Sequence, residues 1–260
     1  MPMNDPHVAR LRYQVVTDKS ISYDNPAAVT SQLPAYRLTL DSGVLTIEMN
    51  EHHATINSAT ALVHEYLLSW ELQTALDMGP GRLKFEFMNA DVIDRKPPPS
   101  GSSVVHEMSG TSHLSFSASG TLHLICNIYP PLLSGFLATP LVEKLWSRYL
   151  QYLDGKDILT TVGFFIYSTL KVDAGDRPRM AAQYAIDKDV LDKMANLTSE
   201  LGDTMTARKV DKHSQDRPLS LLERHWVETC CKMLIRRVGE VAYDPSTTCA
   251  QITLANMPKL

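Results

Sequence analysis

Apolar and polar residues alternate in short runs through the first half of the chain, and recur at helical spacing through the second. "YRLTLDSGVLTIEM" places Leu38 and Leu40 before Asp41-Ser42-Gly43, and Leu45, Ile47 and Met49 after it. A period of two on both sides of a Gly-containing turn predicts a β-hairpin with one buried face. "RLKFEFMNADVIDR" repeats the pattern, with Leu83, Phe85 and Phe87 on one side and Arg82, Lys84 and Glu86 on the other. "SHLSFSASGTLHLICNIYP" reads as a second hairpin, in which Leu114 and Phe116 face Leu122, Leu124, Cys126 and Ile128.

A helix is predicted between these strands, over Thr60–Asp77. Its stripe is Leu62, Tyr66, Leu68, Leu72 and Leu76, and Gly79-Pro80-Gly81 ends it. This helix is expected to cover the buried face of the sheet. "DRKPPPSGSS" is the strongest break in this half.

Helical patterns take over at Thr139-Pro140, which suit an N-cap and a first helical position. Val142, Leu145, Trp146, Tyr149 and Leu153 form the next stripe, stopped by Gly155. "DILTTVGFFIYSTL" is apolar all round and predicts a helix buried by its neighbours. Asp187 caps a helix with Val190, Leu191, Met194, Leu197 and Leu201 inward and Gly202 as its stop. Ser220 and Glu223 form a capping box ahead of Trp226, Cys230, Met233, Leu234, Val238 and Val241. Arg224, Lys232, Arg236 and Arg237 are expected on the outer face of that last helix.

The expected fold is therefore α+β: an antiparallel sheet packed by one helix, then a helical bundle. The halves divide at 1–130 and 131–260. A single shared core is the alternative, because only "YPPLLSGFLATP" joins them.

Composition sets bounds on function. The chain has 260 residues, 44% hydrophobic and 21% charged, enough for a sizeable core without disulfide or metal. A net charge of −4 argues against a dedicated nucleic-acid binder while leaving room for a local basic face. "MPMNDPHVAR" lacks the apolar core of a signal peptide, and "ILTTVGFFIYSTL" is too short to span a bilayer. Cys126, Cys230, Cys231 and Cys249 show no CxxC spacing and read as reduced thiols of a cytoplasmic protein.

The segments "WELQTALDMGPGRLKFEFMNADVIDRKPPP", "LVEKLWSRYLQYLDGKDIL", "VLDKMANLTSELGDTMTARK", "LLERHWVETCCKMLIRRVGE" and "ITLANMPKL" together resemble an uncharacterised group of bacterial proteins. That group combines a strand-rich front with a helical back. The resemblance runs from about Tyr36 to Leu260, and the closing segment departs from the group's Asp-Leu-Pro form. It implies a bacterial, soluble, two-part protein. It implies no activity and no functional residue.

Four constellations carry candidate chemistry. In "ARKVDKH", Arg208 and His213 have a spacing that resembles the Arg-x4-6-His motif of HEPN-type ribonucleases and toxins. That resemblance implies action on an RNA phosphodiester, in a site completed by a homodimer. About one such match is expected by chance in a chain of this composition. His52, His53 and His64 form a possible zinc set for a metal hydrolase, without HExxH or His-x3-His spacing. Cys230 and Cys231 diverge by about 100° on a helix, so they suit a core and its edge better than a shared site. Arg224, Arg236 and Arg237 are candidate binding residues on a basic helix that interleaved acids dilute. GxGxxG, GxxxxGK[ST] and GxSxG are all absent.

Without a convergent catalytic set, the reading is a non-enzymatic binding or accessory protein. Its partner would be a protein, peptide or small ligand, with no membrane and no cofactor. The alternatives are the HEPN-type ribonuclease and the metal hydrolase.

Overall fold

The computed structural model describes residues 4–96, 123–199, 217–246 and 248–260, with the backbone of 106–107. The chain divides into two compact units, Met1–Ser134 and Gly135–Leu260. The first holds strands β1 (Pro6–Val16), β2 (Ile21–Tyr23), β3 (Val29–Gln32), β4 (Tyr36–Asp41) and β5 (Val44–Met49), then helix α1 (Ile56–Met78). Strands β6 (Lys84–Asp94), β7 (His106–Glu107) and β8 (Leu124–Cys126) follow. The second holds α2 (Pro140–Leu153), α3 (Leu159–Ala174), α4 (Arg177–Gln183), α5 (Lys188–Ser199) and α6 (Leu221–Tyr243). This is an α+β fold.

The main sheet runs β3-β4-β5-β1-β6-β7, with every pairing antiparallel. The β4–β5 hairpin pairs Asp41 with Val44 across a two-residue turn. Ser42 and Gly43 both take positive φ, 49° and 77°. That geometry matches the twist of the strands, and glycine enters it without a Cβ penalty. Leu38, Leu40, Leu45, Ile47 and Met49 are buried as the alternation requires.

The central strand is β1, to which the patterning above assigns no element. Leu11 and Tyr13 point inward between Arg10, Arg12 and Gln14. The ladder between β1 and β6 slips twice, between Val8 and Arg10 and between Arg12 and Tyr13. Ala9 is the extra residue on β1, and Met88 the extra residue on β6. Between the slips, Arg12 grips Asp91 with two bonds of 2.9 and 2.8 Å on the face away from α1.

α1 covers the opposite face. Thr55 caps it by accepting the Ser58 N–H, and Gly79 ends it at φ 93°. Ala59, Val63, Leu67 and Trp70 join Leu11, Leu38 and Ile47 in one core. Of the expected stripe, Leu72 and Leu76 are buried, Tyr66 and Leu68 are half-buried, and Leu62 is exposed with Val63 buried in its place. Trp70 fixes the phase, since its indole N–H reaches Pro131 O at 2.7 Å. Tyr129 likewise accepts the Gly43 N–H at 2.6 Å, and Gln73 accepts the Ser134 N–H at 3.1 Å. These bonds tie 129–134 to the first unit, and the boundary falls after Ser134.

The hairpin expected around Leu122–Ile128 needs correction where it is described. β8 pairs in parallel with β2. Leu124 and Ile128 are exposed rather than buried. Leu114, Phe116 and Leu122 lie outside the described residues.

In the helical unit, Thr139 and Pro140 open α2 and Ser220–Glu223 form the capping box of α6, as predicted. Arg217 grips Glu223 with two 2.7 Å bonds, which hold that carboxyl down at about 2. Leu153 departs from its expected stripe and is exposed, as are Ile158 and Val172 at the ends of the α3 run. Gly163 lets α5 approach α3: a Cβ there would lie 2.7 Å from Thr198 Cγ2. Leu201 and Gly202 lie outside the described residues.

The main correction concerns Arg237, which is buried. Its guanidinium donates to Tyr184 O at 2.8 Å, Ala185 O at 3.3 Å and Ala250 O at 2.7 Å, and Nε donates to Glu240 Oε2 at 2.9 Å. It clamps α6 to the α4–α5 connection and to the tail strand at Ile252, which bridges Ile186. Arg237→Met leaves Tyr184 O and Ala250 O without this donor, Ala185 O keeping only the Ile252 N–H, and is expected to destabilise the helical unit by about 3–5 kcal/mol. Arg237→Lys should recover only part, because an ammonium cannot fork across several carbonyls. Urea unfolding followed by far-ultraviolet circular dichroism reads both; a loss below about 1 kcal/mol for Arg237→Met contradicts the clamp.

Candidate ligand-binding groove

α1 and the start of β6 enclose a groove of about 460 Å³ in the first unit. One side is a helical stripe. Asn57, Thr60, His64, Leu68 and Glu71 recur at three- and four-residue steps and so share a face. The other side is Tyr13, Lys84, Phe85 and Phe87 from the two strands.

The second slip in the ladder aims the aromatic wall. Met88 absorbs one residue, so Tyr13 pairs with Phe87 rather than with Met88. Phe85 and Phe87 thereby face α1. Phe87 meets Tyr13 edge-on at 5.6 Å, and Phe85 packs on Trp70 at 5.2 Å. Phe87 nonetheless stays 47% exposed. A phenyl ring left open beside an apolar cavity is surface that a ligand can cover.

The groove holds one half-buried carboxyl. Glu71 Oε1 accepts the Phe85 N–H at 2.6 Å, which fixes its orientation. Burial raises its pKa, opposed by the Phe85 bond and by the charges of Lys84 and His64. The Lys84 ammonium is committed elsewhere, to Glu86 Oε1 at 3.4 Å. Burial pushes the Tyr13 hydroxyl up to about 12, so it stays protonated at neutral pH. The Thr60 hydroxyl donates to its own helix, at Ile56 O and Asn57 O.

The histidine set does not assemble. His64 sits in the groove, while His52 and His53 lie in the loop ahead of α1. Among the described residues no three His, Cys, Asp or Glu side chains gather as metal ligands. His52 stacks instead on His7 at 5.4 Å, and its Nε2 lies 3.6 Å from Asp5. Arg95, which can only donate, lies 3.3 Å from His52 Nδ1. The His53 N–H points at His7 Nδ1 at 3.4 Å. Fixed donors therefore face a ring nitrogen of each of two stacked imidazoles. His53 Nε2 is buried without a partner.

The basic residues do not converge. Arg224 and Arg236 lie about 120° apart around α6, and pair with Glu228 at 4.0 Å and Glu240 at 3.1 Å. Arg237 is the internal clamp rather than a surface contact. Cys230 and Cys231 are both fully buried, so Cys231 fills core rather than an edge. Burial pushes the Cys230 thiol up to about 12 and raises that of Cys231, which keeps both as thiols. Arg208 and His213 lie outside the described residues.

Glu71 was missed at the level of sequence, though it is the one acid within "YLLSWELQTAL". The phase break in β6 was also there: the apolar positions run odd to Phe87, then even at Ala90 and Val92. No helix among the described residues is long and apolar enough to cross a membrane. The chain matches no protein-family model, no curated protein and no solved structure.

The imidazole cluster makes stability depend on pH. Burial lowers the His7 pKa, helped by Arg95, His52 and His53 and opposed by Asp5. An unfolded histidine takes up its proton near pH 6.5 while folded His7 does not, so stability falls as pH drops below 6.5. Urea midpoints should decline from pH 7.5 to 5.5 in the wild type, and less steeply in His7→Gln. Comparing the two slopes cancels the carboxyl groups they share; equal slopes contradict the assignment.

Proposed function

We propose that this protein is a non-enzymatic binding protein, and that the groove between α1 and β6 takes a small, largely apolar ligand. The carrying observation is the exposed Phe87 ring at the wall of a cavity of about 460 Å³. That volume lies in the range of small-molecule sites, and a few polar groups among apolar walls is their usual make-up.

Binding is favoured over catalysis by how the lining groups are engaged. The only hydroxyl on the helix stripe donates to backbone carbonyls. The Tyr13 hydroxyl keeps its proton, and no cysteine lines the cavity. A nucleophile needs a base within hydrogen-bond reach, and the lining provides no such pair. All four cysteines are free, which supports a reducing, cytoplasmic setting.

The neutral, apolar dye Nile red tests the groove without favouring either charge. Wild-type protein is expected to bind it with a blue shift and an emission gain. Leu68→Asp and Phe87→Ser place polar groups in the cavity and should weaken binding by roughly tenfold, with melting temperatures close to wild type. Undiminished binding by both variants, or none by the wild type, sinks the reading.

A further inference from the structure

Resting on the groove as a ligand site, we infer that it selects a small amphipathic amine, whose ammonium meets Glu71 while its aromatic or aliphatic body lies against Phe85, Phe87 and Tyr13. The inference starts from an imbalance of charge. Glu71 projects from α1 into a cavity walled by Leu67, Leu68, Phe85 and Phe87. One of its oxygens is taken by the Phe85 N–H, a neutral donor. A carboxylate offers about four acceptor positions, so one bond leaves most of its capacity unused. The Lys84 charge acts on Glu71 without a direct bond, since its ammonium pairs with Glu86.

A half-buried carboxylate without a direct cation is an unfavourable arrangement for a folded chain. It becomes favourable when a ligand brings the positive charge and the walls exclude water around the pair. The aromatic walls suit the same ligand class. Phe85, Phe87 and Tyr13 offer ring surface to an apolar body, and a ring face attracts an adjacent cation. A carboxylate ligand meets the opposite situation, with Glu71 repelling it. His64 stands two helical turns from Glu71 on the same stripe, so a charge on its ring competes with the ligand's.

Isothermal titration calorimetry at pH 7.5 with three probes of one shape tests this: 4-phenylbutylamine, 4-phenylbutan-1-ol and 4-phenylbutyrate. The amine is expected to bind the full-length wild type roughly tenfold more tightly than the alcohol, and the acid more weakly still. Glu71→Gln keeps an oxygen for the Phe85 N–H and removes the charge. It should bring the amine level with the alcohol while leaving the melting temperature near wild type. Phe87→Ser should weaken amine and alcohol alike, which keeps the test open should the Gln variant fold poorly. Equal affinity of wild type for amine and alcohol, an unchanged preference in Glu71→Gln, or no amine binding overturns the inference. Nile red binding that persists alongside any of these leaves the groove as a site for a ligand of other chemistry. Loss of Nile red binding removes the site itself.

Discussion

The compensated double slip of the β1–β6 ladder is the constraint on which the first unit depends. The extra residue Ala9 shifts the pairing one way, and Met88 shifts it back. Between them lies the stretch in which Arg12 grips Asp91. A single slip would carry every later residue of β6 to the wrong face, because side chains alternate with a period of two. Two slips confine the change to a few residues, and Phe85 and Phe87 return to the α1 side. The groove follows from that return. Without that second slip Tyr13 would pair with Met88, and the two phenyl rings would sit on the outer face, opposite Gln14 and Val16. Bulges often re-aim a side chain next to a working site, and here they re-aim a pair of rings.

The helical unit depends on a different device. Its helices bury apolar stripes, but the α4–α5 connection leaves backbone carbonyls at Tyr184 and Ala185 without helical donors, and Ala185 takes a positive φ of 45°. Arg237 supplies the donor to Tyr184 O from α6 and adds a second to Ala185 O, which also accepts the Ile252 N–H. A lysine stem could reach one carbonyl, whereas a planar guanidinium serves several at once. Close packing near the clamp leaves little room for adjustment: a Cβ on Gly239 would lie 2.2 Å from Phe136 Cε2. Both the large cation and the missing side chain follow from how tightly α6 is surrounded.

Legibility in the sequence followed the locality of each signal. The β4–β5 hairpin, the Thr139-Pro140 start and the Ser220–Glu223 box are written within a few residues, and each stands where the pattern put it. α1 was legible in existence, and its inner face in the second half at Leu72 and Leu76 but not at Leu62. Trp70 reaches Pro131 sixty-one residues away, and that contact turns the helix. β1 carries a local alternation at Arg10–Val15, yet the slip at Ala9 blurs its start. Arg237 reads as a surface cation because its acceptors are carbonyls fifty-three, fifty-two and thirteen residues distant. The groove was hidden for the same reason. Glu71, Phe87 and Tyr13 carry no mutual spacing, and only the register of β1 against β6 assembles them.

α1 ties the groove to the imidazole cluster through its two ends. His52 and His53 lie in the short loop before Thr55, whose side chain caps the helix. Asn57, the second residue of α1, already lines the groove, and Glu71 lies fourteen residues farther along. At 1.5 Å per residue the two stand about 21 Å apart along the axis. A proton on His7 sets like charge against Arg95 and removes an acceptor from the His53 N–H. Both effects strain the loop that feeds Thr55. Acid thus acts on the end of the groove farthest from Glu71, and the Phe85 bond and the Trp70 contacts hold the other end. Ala59 and Val63, buried in the core, hold the first half as well, so a proton on His7 works against the cap of a helix that the sheet already fixes.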